Sequence, residues 1–176
     1  MSSPERTDPP LAGDEAATLL GFLEFHRETL RWKTSGLDAE GLARALPPSD
    51  MTLGALLKHL ASVEDYWFGQ ILLGRQASPP FGTAPWDVDP DWDWHSAADD
   101  APETLHHLLA EAIARSQEAT STVLAAGGLD ALSAGRSRRG EQFSLRWILV
   151  HMIEEYARHN GHADLLRQAV DGLVGE

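Results

Sequence analysis

The sequence predicts an all-α protein, an antiparallel four-helix bundle. Apolar residues recur at intervals of three and four along four stretches of about 20 residues or more, the spacing that lines one face of a helix. No stretch alternates with the period of two that a half-buried strand requires. Proline-, glycine- and cap-bearing segments separate the four stretches.

In chain order, residues 14–34 carry Leu19, Phe22, Leu23, Leu30 and Trp32 on a helical face, with Gly36 just beyond as a stop. Residues 38–46 read as a short helical turn, ended by Pro47 and Pro48. The second long helix is expected to start within 49–52, where several good N-cap residues stand. Leu53, Leu56, Leu57, Leu60, Val63, Trp67 and Ile71 carry it towards Gly74. Residues 76–101 are rich in Pro and Asp and hold Trp86, Trp92 and Trp94, which predicts a long loop packed on the body by its tryptophans, either covering a site or completing the core. The third helix starts near Pro102, places Leu105, Leu108, Leu109, Ile113, Val123 and Leu124 inward, and ends at Gly127 and Gly128. The fourth runs from Ser144 to about Val170 and stops at Asp171 and Gly172. One domain over 14–172 accounts for all of this, preceded by residues 1–13 as a disordered or extended N-terminus, and no internal repeat is visible.

Composition narrows the chemistry. The 176 residues are 43% hydrophobic and 23% charged, ordinary for a globular protein, and the formal charge of −13 disfavours nucleic acid and anionic membranes as partners. Arg136, Arg138 and Arg139 form the one basic cluster, in a Gly/Ser-rich stretch that reads as a mobile loop. With no cysteine, disulfides and Cys-held zinc or iron–sulfur clusters are excluded, so any transition metal must sit on nitrogen and oxygen donors. No apolar run reaches the ~18 residues of a membrane span and the N-terminus lacks a signal-peptide core, so the cytoplasm is the expected location.

The fourth helix breaks its own pattern. Its stripe Leu145, Ile148, Met152, Glu155, His159, His162, Leu166 is apolar at both ends and ligand-like in the middle, with His151 one turn before Glu155. The second helix has a matching interruption, His59 between Leu56 and Val63, while Lys58, Ser62 and Asp65 are expected to point elsewhere. Alone, His59 reads as a hydrogen-bonded core histidine, and Glu155 with His159 as an ion pair or a solvated edge. Two interrupted stripes on helices that can pack together point instead to a metal site of His59, Glu155 and His159, because bundle interiors are where such sites are built. His106 and His107 read as surface or edge residues, and His26 and His95 have no evident partner.

At these positions the chain resembles the DinB-like superfamily, in its actinobacterial branch. The matching segments are 51–61, Met-Thr-Leu-Gly-Ala-Leu-Leu-Lys-His-Leu-Ala, and 154–164, Glu-Glu-Tyr-Ala-Arg-His-Asn-Gly-His-Ala-Asp. The resemblance implies a DinB-like bundle with one metal ligand on the second helix and two on the fourth, carried here by His59, Glu155 and His159. Many members have histidine at the position of Glu155, and glutamate there is similar to the metal-binding domain of mycothiol-dependent maleylpyruvate isomerase. Many relatives have glutamine at the position of His162, which makes it a residue beside the ligands first and a ligand second.

Three protein ligands leave a coordination position open, the layout of a catalytic zinc site. The resemblance therefore implies an enzyme of thiol-transferase or isomerase type, using a metal-activated low-molecular-weight thiol such as mycothiol on a small-molecule substrate. Zinc is the default ion, with nickel, iron and manganese as alternatives. Residues beside the ligands or in the pocket would include His151, His162, Trp67 and Arg27, with Arg27 and Arg158 equally open to a surface reading. A metal-dependent hydrolase and a non-catalytic, metal-binding stress-response protein are the two alternatives, and the resemblance is also consistent with a homodimer.

Overall fold

Four side chains that accept a hydrogen bond from a free backbone N–H decide where helices begin in the computed structural model, which describes residues 6–175. Asp14 accepts from the Ala17 amide and opens α1, Glu15–Thr34; Asp38 accepts from Gly41 and opens the short α2, Ala39–Ala43. Thr52 accepts from Ala55 and opens α3, Leu53–Glu64, which continues as a wider π-type winding over Asp65–Leu72. The α4 turn, Trp92–His95, follows. Then come α5, Pro102–Gly127, with Pro at its start, and α6, Leu145–Asp171, capped by Ser144. Gly128 and Gly172 end α5 and α6 at φ of 69° and 78°, a region that costs glycine little.

The long helices make the antiparallel four-helix bundle expected from the periodicity, with no strand among the described residues. α1 lies along α6 and α3 along α5. Leu23 and Leu30 of α1, Leu56, Leu57 and Leu60 of α3, Leu105 and Leu109 of α5, and Ile148, Leu149 and Met152 of α6 are all almost completely buried. Each such side chain contributes about 1.5–3 kcal/mol relative to an exposed one.

On the core face of α3, Leu60, Glu64, Phe68 and Leu72 follow one another at intervals of four. A strict four-residue interval drifts around an ordinary α-helix, and the wider winding over Asp65–Leu72 takes out that drift. It also leaves Trp67 at the edge of the core rather than in the stripe where simple periodicity puts it. Asp65 is buried, against expectation, because its carboxylate accepts from the Ser78 amide and from Gln70 Nε2 and so ties the following segment to α3.

Residues 6–13 carry no helix and lie along α1; residues 1–5 of the expected N-terminal segment fall outside the described residues. The Arg6 guanidinium sits over the Phe25 and Trp32 rings, and Pro10 comes so close to Gly21 that a Cβ there would stand 2.6 Å from Pro10 Cδ. The expected loop over 76–101 is not wholly irregular. It forms a single 3₁₀ turn at Phe81–Thr83, then α4, then a second 3₁₀ turn at Ser96–Asp99. Four-residue helices give no periodic signal, so sequence pattern alone misses them.

Arg27 lies in the core of the bundle. It is 4% exposed, and its Nε and Nη2 donate to the two oxygens of Glu64, each at 2.8 Å. Tyr156 donates to Glu64 Oε1 at 2.8 Å, so α1, α3 and α6 meet on one carboxylate. The expectation that Arg27 lines the pocket beside the ligands is corrected here. It borders a separate groove between α1 and α5 with Glu24 and Gln117, since a buried Glu64 needs a cation more than solvent needs Arg27.

Candidate metal centre

α3 presents His59 beside the buried Leu56 and Leu60, and α6 presents Glu155 and His159 one turn apart. Packing of α3 on α6 brings the three together. His59 Nε2 stands 3.6 Å from Glu155 Oε1, and His159 Nε2 stands 3.7 Å from the same oxygen. One donor atom from each residue lies within 4.8 Å of the others, a set that could hold a metal ion. Donors about 2.0–2.2 Å from a tetrahedral ion stand roughly 3.3–3.5 Å from one another. The two spacings to Glu155 Oε1 are close to that, and slightly too wide for hydrogen bonds. Two imidazole nitrogens and one carboxylate oxygen are the donors that suit zinc and its neighbours.

The other ring nitrogens point away from this set. His59 Nδ1 lies 2.9 Å from Asp93 Oδ2, and His159 Nδ1 lies 3.3 Å from His162 Nδ1. Trp94 stacks on His59, centroids 4.4 Å apart and planes 27° from parallel, and also borders His159. Burial works against a charge on His59, but the hydrogen bond to Asp93 and the Glu155 carboxylate outweigh it and raise its pKa. His159 and His59 together hold the Glu155 carboxyl well below the usual range.

His59 and Glu155 open onto a cleft of about 530 Å³, within the ~300–1,000 Å³ typical of ligand pockets. Val63, Tyr66, Trp67, Phe81, Trp86 and Trp94 form its apolar walls, and Ser62, Gln70 and Arg138 add polar groups. Trp67 therefore stands at the cleft, backed by His151, whose ring lies 4.7 Å from it and stacks on Trp147 at 5.1 Å. His151 itself does not reach the donor set, and its nearest carboxylate is Glu154 at 3.6 Å. Arg158 is an exposed surface group paired with Glu154. His26 and His95 do have partners, since Asn160 Nδ2 lies 3.4 Å from His26 Nδ1 and His95 Nδ1 meets Asp89.

A family model of the mycothiol-S-transferases matches residues 18–172, from α1 to the end of α6. The chain belongs to the mycothiol-S-transferase family. That membership agrees with the DinB-like resemblance of 51–61 and 154–164. No curated protein matches the chain.

Three residues of this mycothiol-S-transferase family member escape a reading of the sequence. Asp93 is one of several aspartates in an aperiodic stretch, with nothing to distinguish it from Asp87, Asp89 or Asp91. Arg138 belongs to the cluster read as a mobile loop, yet it borders the cleft. Lys58, expected to point elsewhere, is 3% exposed, with its ammonium 2.5 Å from Asp100 Oδ2 and 4.3 Å from the centroid of the Trp92 ring. Among the described residues no helix is long and apolar enough to cross a membrane.

Proposed function

We propose that the chain is a metal-dependent S-transferase that joins a low-molecular-weight thiol of the mycothiol kind to a small electrophile. The observation that carries this reading is the donor set of His59, Glu155 and His159 at the wall of a 530 Å³ cleft. Family membership supplies the thiol. His59, Glu155 and His159 would hold one divalent ion, for which zinc is the natural occupant of two imidazoles and a carboxylate. When bound, such an ion supplies the charge that favours the ionised form of a thiol near neutral pH.

In the transfer, an S–H bond is exchanged for an S–C bond. The sulfur attacks the electrophilic carbon, the bond from that carbon to its leaving group breaks, and the thiol proton is released. Trp67, Trp86 and Trp94 pack against the apolar body of the electrophile and exclude water from the reacting atoms. Ser62 and Gln70 offer a hydroxyl and an amide to the polar groups of the thiol. Arg138 brings a positive charge to the rim, where an anionic substituent or leaving group would find it.

The open cleft favours catalysis over a purely structural ion, which would call for an occluded site. The test is metal content by mass spectrometry of untagged protein beside His159→Ala, followed by thiol consumption with mycothiol and a panel of alkyl and aryl halide and epoxide electrophiles. About one ion per chain, lost in the variant together with thiol consumption, is the expected result. A loaded protein that consumes no thiol with any electrophile overturns the reading, and ester or amide hydrolysis by the same protein would replace it with a hydrolase.

A further inference from the structure

We propose that Asp93 is a positioning residue of the metal centre, locking the His59 imidazole so that Nε2 faces Glu155 and His159. The inference rests on the reading of His59, Glu155 and His159 as ligands, and deepens it by adding a member from a different part of the chain.

The chemistry of the contact sets the ring's protonation. An ionised carboxylate only accepts hydrogen bonds, so the 2.9 Å contact between His59 Nδ1 and Asp93 Oδ2 requires the hydrogen on Nδ1. A neutral His59 is then left with its lone pair on Nε2, the atom 3.6 Å from Glu155 Oε1. Asp93 is itself fixed. It is 6% exposed, and its other oxygen accepts from the Trp94 amide at 3.1 Å. Trp94 then covers the ring that Asp93 holds, leaving His59 little freedom to flip.

The segment that delivers Asp93 is anchored next door. Lys58, the residue before His59, bonds Asp100 and the Ser96 carbonyl and lies against the Trp92 ring. Consecutive residues of α3 thus grip the same strap, the segment 76–101, one through its charge and one through its ring. Such carboxylate–histidine pairs orient a ligand and raise its basicity, and their loss weakens metal affinity by about 10–100-fold.

The experiment measures zinc affinity by competition with a chromophoric chelator for wild type, Asp93→Ala, Asp93→Asn, the exposed control Asp87→Ala, and His159→Ala. Long-range ¹⁵N–¹H correlations on the wild type report which nitrogen of His59 carries the hydrogen. Asp93→Ala is expected to bind zinc about 10–100-fold more weakly, Asp93→Asn to recover most of that loss because its amide oxygen still accepts, and Asp87→Ala to match wild type. The wild-type His59 is expected to carry its hydrogen on Nδ1. If Asp93→Ala binds zinc as wild type does while His159→Ala does not, the role of Asp93 is overturned and the ligand set stands. If wild type and His159→Ala are alike, the ligand set itself fails. Should Asp93→Ala not fold, the tautomer of the wild type decides, and a hydrogen on Nε2 overturns the inference.

Discussion

Tyr156 gives its hydroxyl hydrogen to the same Glu64 oxygen that accepts from Arg27 Nε, both at 2.8 Å, in the middle of the bundle. Burial and the neighbouring Glu64 charge push the Tyr156 pKa well up, so it remains a donor at any ordinary pH. Burial disfavours the Arg27 charge, yet Glu64 more than compensates and raises its pKa.

Removing one member leaves the others charged or unpaired in the core. Arg27→Ala and Glu64→Ala are each expected to destabilise the protein by about 3–5 kcal/mol. Tyr156→Phe should cost about 1.5–3 kcal/mol, since the lost hydrogen bond is to a charged acceptor. Urea denaturation measures all three. Tyr156→Phe should still bind metal like wild type, because its hydroxyl faces Glu64 and not the donor set.

The metal-free protein should show a pH window of its own. His59 has a raised pKa in the fold, so its contribution is complete below the ordinary 6.5 and lost as pH rises through the raised value. Glu155 has a lowered pKa, so its contribution is present above the ordinary 4.5 and lost as pH falls through the lowered one. Between those limits both charges stabilise the fold. His26, His106 and His162 have lowered pKa values and work the opposite way over pH 6 to 8. The contribution of His59 is therefore read as a difference: in a chelator, raising the pH from 6 to 8 should cost wild type more thermal stability, or gain it less, than it does His59→Ala. Metal affinity should move the opposite way and rise over the same range, because a ligand histidine must give up its proton.

The donor set was legible because helical period is a strong signal, and a polar interruption in an apolar stripe stands out against it. His59 stands between Leu56 and Val63, and Glu155 and His159 interrupt a stripe that is apolar at both ends, Leu145, Ile148 and Met152 before them and Leu166 after, on helices long enough to fix their phase. The π winding after Glu64 was not legible, and it displaced Trp67 from the stripe. Asp93, Arg138 and the burial of Lys58 depend on where aperiodic segments fold back, which no local spacing encodes. Arg27 reads in the sequence as a pocket or surface residue, because its partner Glu64 lies 37 residues away and gives no local cue.

Loosening the strap should show as proteolysis before it shows as unfolding. Asp100→Ala removes the carboxylate 2.5 Å from the Lys58 ammonium and leaves that charge with the Ser96 carbonyl and the Trp92 ring. A loss of about 1–3 kcal/mol is expected, with faster cleavage within 76–101 by limited proteolysis. Helical content by circular dichroism should stay unchanged.

Arg138 should discriminate among electrophiles. Arg138→Ala is expected to raise KM by roughly tenfold or more for electrophiles that carry a carboxylate near the reacting carbon, the worth of a charge-assisted hydrogen bond. Neutral electrophiles of the same size should be unaffected. Steady-state kinetics on a matched pair of substrates measures the difference.

His59, Asp93 and Glu155 come from three stretches of chain that meet only when α3, the strap and α6 have docked. An unfolded chain offers no such cluster, so an ion held there is held by the native state alone. By mass action, each tenfold rise in free ion above the dissociation constant adds about 1.4 kcal/mol to stability. Ion supply would then govern how long each molecule survives turnover as well as whether it is competent, and starvation for the ion would be read first as a fall in the amount of protein.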